Sequence, residues 1–184
     1  MALAGLAEST QGVRPIEEIT QLVDESIVIK TSNPNAEWDM VSNQADSEGT
    51  FIMKRKSDEV IFSMKLMKNC EQRDMGLMIN EASLIAYLQC DELIKVEDMY
   101  HFQNNLYMML EYMDQGSIAN ILAVHHMNYS EEFCKYSLYK VAKGLFKMHQ
   151  NNVLHRDIRS DNIHCSSDGE VKIADFGNFK ILSE

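Results

Sequence analysis

The sequence predicts an α+β chain with two lobes. Two strand-rich stretches, 37–67 and 96–112, flank a helical stretch at 72–89. A second helical stretch at 130–149 is followed by a short hairpin. Both prolines, Pro15 and Pro34, fall within the first 36 residues. No proline therefore interrupts any later element. Strands, a helix, more strands, then helices and a hairpin is the order expected when a sheet and its helices form separate layers.

Residues 1–36 read as an N-terminal extension, partly flexible. Within it, Ile19, Leu22, Val23 and Ile27 suit either a short helix or the entry to a strand, and a mobile lead-in fits as well. Residues 37–43 and 50–56 read as two strands joined through the turn residues Asp46, Ser47, Glu48 and Gly49. A third strand, 59–67, is entered through Lys56, Ser57 and Asp58. In 72–89, Met75, Met78, Ile79, Ala82, Ile85 and Ala86 recur along one helical face. Strands near 96–102 and 106–112 meet at Asn104 and Asn105.

The second helix has Ser130 as a capping residue, with Glu131 and Glu132 in the first turn, where the helix dipole favours acids. Phe133, Leu138, Val141, Ala142, Leu145 and Met148 form its expected buried stripe. Residues 163–165 and 171–174 pair around Ser167, Asp168 and Gly169.

Charge and composition narrow the function classes. The chain has 184 residues with 17 Lys+Arg against 28 Asp+Glu, a net charge of −11. That balance argues against a nucleic-acid surface and a polybasic membrane patch, which both need clustered cations. No apolar run approaches the ~20 residues of a spanning helix, so no membrane insertion is expected. Cys70, Cys90, Cys134 and Cys165 are scattered without a C-x-x-C pair. A zinc or redox centre is therefore disfavoured, and a reducing, cytoplasmic setting is expected.

The chemistry-bearing residues lie near the C-terminus. His155-Arg156-Asp157-Ile158-Arg159-Ser160-Asp161-Asn162 is followed by Asp175-Phe176-Gly177. Asp157 and Asn162 share a loop, and the hairpin returns the chain so that Asp175 can face them. Three convergent oxygen-bearing side chains suit Mg²⁺-nucleotide chemistry. The pattern resembles the eukaryotic protein kinase signature H-R-D-x-x-x-x-N followed by D-F-G.

The resemblance implies a protein-kinase-like fold: a β-rich N-lobe with one regulatory helix, then an incomplete, mainly helical C-lobe. It covers 37–184, divided into an N-lobe and hinge at 37–112 and the front of the C-lobe at 113–184. It implies ATP and Mg²⁺ as cofactors and a protein substrate or partner. Lys65 falls in the V-A-I-K strand position, to hold the α- and β-phosphates, and Glu81 in that of its ion-pair partner. Leu110 takes the gatekeeper position, and the backbones of Glu111 and Met113 would bond adenine. Asp157 would accept or orient the substrate hydroxyl proton, while Asn162 and Asp175 would hold magnesium. Arg159 stands where Ser/Thr kinases usually carry Lys; either cation can neutralise the transferred phosphoryl. Ile79-Asn80-Glu81, Met109 to Met113 with Gly116-Ser117, and 155–163 further resemble the sterile-twenty group of p21-activated and germinal-centre kinases.

Several positions depart from that pattern. Where G-x-G-x-x-G is expected, Gln44 to Gly49 retains only Gly49, and Asp46 and Glu48 bring negative charge toward the phosphates. The adenine slot is expected to be formed by Phe51, Ser63 and His164 in place of Val, Ala and an apolar residue; Phe51 would either crowd the purine, fill the slot without nucleotide, or turn away from it. The sequence stops at Glu184, seven residues past Gly177, short of the rest of the activation segment. The expectation is a Ser/Thr kinase domain that is weak or inactive as this chain. The alternatives are a pseudokinase scaffold and a non-functional kinase fragment.

Overall fold

The computed structural model describes residues 26–42, 50–125 and 130–182. In chain order the elements are β1 (Ile29–Lys30), β2 (Trp38–Met40), β3 (Thr50–Arg55), β4 (Ile61–Met67), α1 (Gln72–Leu88), β5 (Val96–Phe102) and β6 (Asn105–Glu111). There follow β7 (Gly116–Ser117), α2 (Ile118–His125), α3 (Glu131–Gln150), β8 (Val153–Leu154), β9 (Ile163–Cys165), β10 (Val171–Ile173) and β11 (Lys180–Ile181). β1 to β6 form one sheet in the order β1-β5-β6-β4-β3-β2. Its pairs are antiparallel except β1 against β5. The smaller sheets β10-β9-β7 and β11-β8 lie in the second half.

Strand alternation sends side chains to two faces of the large sheet. Trp38, Met53, Phe62, Met64, Tyr100 and Met109 pack on one face. Met99, Leu106 and Met108 pack on the other, against Met78 and Ala82 of α1. Each fully buried Met or Leu there contributes roughly 1.5–3 kcal/mol. The third and largest cluster joins the last turns of α1 (Leu84, Ile85, Leu88) to Leu93, Ile94, Met148, Ile173 and Phe176.

Local signals account for the element ends. Gln89 closes α1 in the left-handed conformation. The β5–β6 turn falls on Gln103 and Asn104, both at positive φ as a two-residue hairpin requires, one position earlier than expected. The Ser130 hydroxyl accepts the Phe133 amide at 3.1 Å and caps α3. Gly169, at φ 91°, turns the β9–β10 hairpin.

One expectation is corrected. The buried stripe of α3 omits Leu138, which is 70% exposed, and Ala142 is also exposed. Met148 is buried as the stripe requires, and Ser137 and Gly144 join it in place of Leu138 and Ala142. A Cβ on Gly144 would lie 2.9 Å from Ile173 Cδ1 and 3.2 Å from Leu93 Cδ2, so the approach of α3 admits only a small residue. In addition, Ile29 and Lys30, from the stretch read as an extension, belong to the large sheet. Among the described residues, no helix is long and apolar enough to cross a membrane.

Candidate active site

Lys65 projects from β4 beneath the sheet, and Glu81 projects from the middle of α1. The Lys65 Nζ lies 2.9 Å from Glu81 Oε2 and 3.7 Å from Asp175 Oδ1. Burial opposes the charge on Lys65, but Glu81 and Asp175 outweigh it and hold the ammonium above its ordinary range. Glu81 is only 5% exposed. Its Oε1 also accepts the Phe176 amide at 3.3 Å, which ties α1 to the segment that carries Asp175.

The loop from His155 to Asn162 is held by its own polar groups. Asn162 Nδ2 donates to the carbonyl of Asp157 at 2.9 Å and to its Oδ2 at 3.0 Å. The Asp157 amide donates to His155 Nδ1 at 3.3 Å. His155 is buried, bonds the Ala174 carbonyl through Nε2 at 3.1 Å, and packs edge-on against Phe176 with ring centres 4.8 Å apart. Arg156 and Asp175 both adopt positive φ, at 68° and 57°. Such strain persists in non-glycine residues only where the surroundings enforce it. Arg156 is enforced by bonds to the Asn178 and Phe179 carbonyls.

Two adjoining cavities open between sheet and loop. One, of about 280 Å³, is bounded by Ile52 and Ser63 above, His164 and Ala174 below, and the 110–116 strand exit at its back. The other, of about 340 Å³, is lined by Lys65, Glu81, Asn162 and Asp175. They share Thr50, Ile94, Leu110, Asn120, His164 and Ala174 as walls. Leu110, Glu111 and Met113 line the first cavity. The exit strand is tied to the hairpin below by Lys172 Nζ, 2.6 Å from Glu111 Oε2.

The expected role of Phe51 is corrected here. Ile52 pairs opposite Ser63, and Phe51 pairs opposite Met64. Phe51 therefore packs with the outer cluster of Trp38, Met53 and Phe62, and does not line the cavity. One residue of register moves a strand's side chains to the other face. Gly49, Asp46 and Glu48 lie outside the described residues. Arg159 folds onto Asp161, with Nη2 2.7 Å from Oδ2, so Asp161 rather than Arg159 borders the second cavity. Sequence reasoning missed Ile52, Ile94, Ala174 and Asn120. The alternation outward from Ser63 would have found Ile52, whereas nothing local marks Asn120.

The family model for the protein kinase domain matches residues 47–184. The chain belongs to the protein kinase family. Similar proteins include the serine/threonine-protein kinase SMU1 of Mycosarcoma maydis, 31% identical over 134 residues, which are 73% of this chain and 18% of that protein. The serine/threonine-protein kinase dst4 of Dictyostelium discoideum is 36% identical over 95 residues, 52% of this chain and 20% of its own length. The serine/threonine-protein kinase CST20 of Candida albicans is 33% identical over 135 residues, 73% of this chain and 11% of its own length. The kinase domain thus spans a fifth or less of the curated relatives it matches.

Protein kinases as a family use ATP with Mg²⁺. The cavities of this kinase domain suit that pair. The first is lined by apolar Ile52, Leu110 and Ala174, with the 110–116 strand exit at its back, as suits a purine. Among the described residues, no group of three or more His, Cys, Asp or Glu could hold a metal. Magnesium does not need one: it binds through one or two carboxylates and takes its other ligands from phosphate and water. Asp175 offers a carboxylate and Asn162 an amide oxygen into the same cavity, since the Asn162 amide nitrogen is engaged by Asp157.

Proposed function

We propose that this kinase domain transfers a phosphoryl group from ATP to the hydroxyl of a protein Ser or Thr, in the manner of the sterile-twenty-like kinases. The observation that carries the reading is the placement of Lys65 Nζ between Glu81 and Asp175 at 2.9 and 3.7 Å, in the cavity that adjoins the purine-sized one. Lys65 holds the α- and β-phosphates, and Glu81 keeps the ammonium aimed at them. Asn162 and Asp175 hold magnesium, which supplies charge neutralisation on the phosphate oxygens when bound. The Glu111 and Met113 main chain takes the adenine edge, with Leu110 behind it.

Asp157 stands at the other side of Asn162, with Oδ2 fixed by the Asn162 amide. Its free oxygen orients the incoming hydroxyl and receives its proton as the hydroxyl oxygen attacks the γ-phosphorus and ADP leaves. Arg159 needs only to release Asp161 to offer its guanidinium to the transferred group. A protein partner contacted without phosphoryl transfer, the scaffold reading, loses one support because Phe51 does not fill the nucleotide slot.

The test is transfer of radiolabelled phosphate from Mg-ATP to myelin basic protein by the purified chain. Incorporation on Ser or Thr that disappears in Asp157→Asn and in Lys65→Met supports the reading. Nucleotide binding with no incorporation refutes the transferase function and leaves the scaffold.

A further inference from the structure

Within residues 26–30, upstream of the expected domain start at 37, Ile27 and Ile29 lie against the same packed cluster as the Glu81 helix. Their side chains alternate as a strand's do: Ile27 and Ile29 are partly buried, and Val28 is 80% exposed. Ile29 pairs beside Met99 and Lys30 beside Tyr100. Met99 belongs to the sheet face that carries α1, and Tyr100 to the opposite face. One residue of β1 therefore serves each side of the sheet.

On the helix side, Ile27 and Ile29 pack against the cluster that contains Met78 and Ala82, the residues that flank Glu81 on α1. Ser26 shares a cavity of about 400 Å³ with Ile85, Ala86 and Gln89 in the last turns of the same helix. On the other side, Lys30 Nζ lies 2.8 Å from Asp98, 2.9 Å from Glu37 and 3.3 Å from the Tyr100 hydroxyl. Trp38 Nε1 donates to that hydroxyl at 2.9 Å. A slip of one residue would place Lys30 in the apolar cluster and Ile29 among carboxylates, so the polar side fixes the register of the apolar side.

We infer that residues 26–30 are a positioning strap for α1: Ile27 and Ile29 complete its seat, Lys30 locks the strap in register, and together they keep Glu81 within reach of Lys65. The inference rests on the reading of Lys65 and Glu81 given above. Loss of the strap leaves α1 tied to the sheet by fewer apolar contacts, and Glu81 swings away from a lysine that stays in place on β4.

The experiment follows the Lys65 amine directly. Trace acetylation of the full chain by acetic anhydride, read by mass spectrometry, compares Lys65 with Lys54 and Lys180. Paired with Glu81, Lys65 reacts slowly. In the double variant Ile27→Asn/Ile29→Asn, Lys65 is expected to react about tenfold faster with the other two unchanged, as suits the loss of a partly buried apolar pair. Ile27→Val/Ile29→Val is expected to react as the parent does. An unchanged Lys65 in the double variant overturns the inference. A rise at all three lysines passes the decision to the milder Ile29→Ala, in which the absence of a selective rise at Lys65 overturns it. Protection of Lys65 by Mg-ATP in the parent tests the nucleotide reading separately. Its absence sinks that reading and leaves the strap comparison intact.

Discussion

Replacing Glu92 by Gln removes one negative charge and almost no volume. Glu92 lies in the loop between α1 and β5 and is 6% exposed. Lys143 Nζ reaches its Oε1 at 2.6 Å and Lys140 Nζ at 3.3 Å, and the Cys90 thiol donates to its Oε2 at 3.3 Å. Burial pushes the carboxyl up, but those three partners outweigh it and set it at about 2 against an ordinary 4.5. At 1.36 kcal/mol for each tenfold change in proton affinity, the difference is worth roughly 3 kcal/mol at neutral pH. The sign follows from the depressed value. The unfolded chain binds this proton more tightly, so the contribution is complete above the ordinary 4.5 and is lost as pH falls toward 2. Urea unfolding of parent and Glu92→Gln should differ by about 2–3 kcal/mol at pH 7 and by about half that near pH 3. A difference below ~0.5 kcal/mol at pH 7, the size of an ordinary surface change, would refute the reasoning. So would one that does not shrink in acid.

Two further outcomes are expected. Gly144→Ala gains about 1 kcal/mol of helix propensity but drives a methyl into Ile173 and Leu93, both fully buried. Overpacking costs ~1–3 kcal/mol, so the urea midpoint should fall with an unchanged slope; a rise would show that the contact yields. Phe51→Ala should leave the affinity for a fluorescent ATP analogue within about twofold, whereas Ile52→Ala should weaken it several-fold. The reverse order would restore Phe51 to the nucleotide slot.

The candidate site is readable because its members sit at fixed spacings on short elements. Asp157 and Asn162 share one loop, and the β9–β10 hairpin between Asn162 and Asp175 has no slack for another arrangement. Phe51 takes the slot position in place of Ile52 when the count starts from Gly49, in the loop before β3, and the facing of a strand changes with every residue. The exposed Leu138 and buried Gly144 show a different limit. Apolar periodicity rewards large residues, whereas α3 approaches Leu93 and Ile173 so closely that a small residue is favoured. β1 escaped notice because two residues carry no pattern of their own. Their strand exists through Met99 and Tyr100, 70 positions along the chain. α2 was missed for a similar reason: it starts directly from the two-residue strand β7 and has no acid in its first turn.

Helix α1 has a divided allegiance. Met78 and Ala82 belong to the cluster beneath the large sheet, while Leu84, Ile85 and Leu88 belong to the cluster that includes α3 and the hairpin. The loop that follows is stitched to β10 by backbone bonds from Ile94 to Ile173 and from Ile173 to Glu92, at 2.8 and 2.9 Å. Glu81 sits between the two anchorages. The helix is therefore held in two places, its first half by the cluster beneath the sheet and its last half by the lower core. The boundary between the two lobes is thus not a boundary between folding units. Amide exchange should find the last turns of α1 opening together with β10 and α3, and its first turns opening alone.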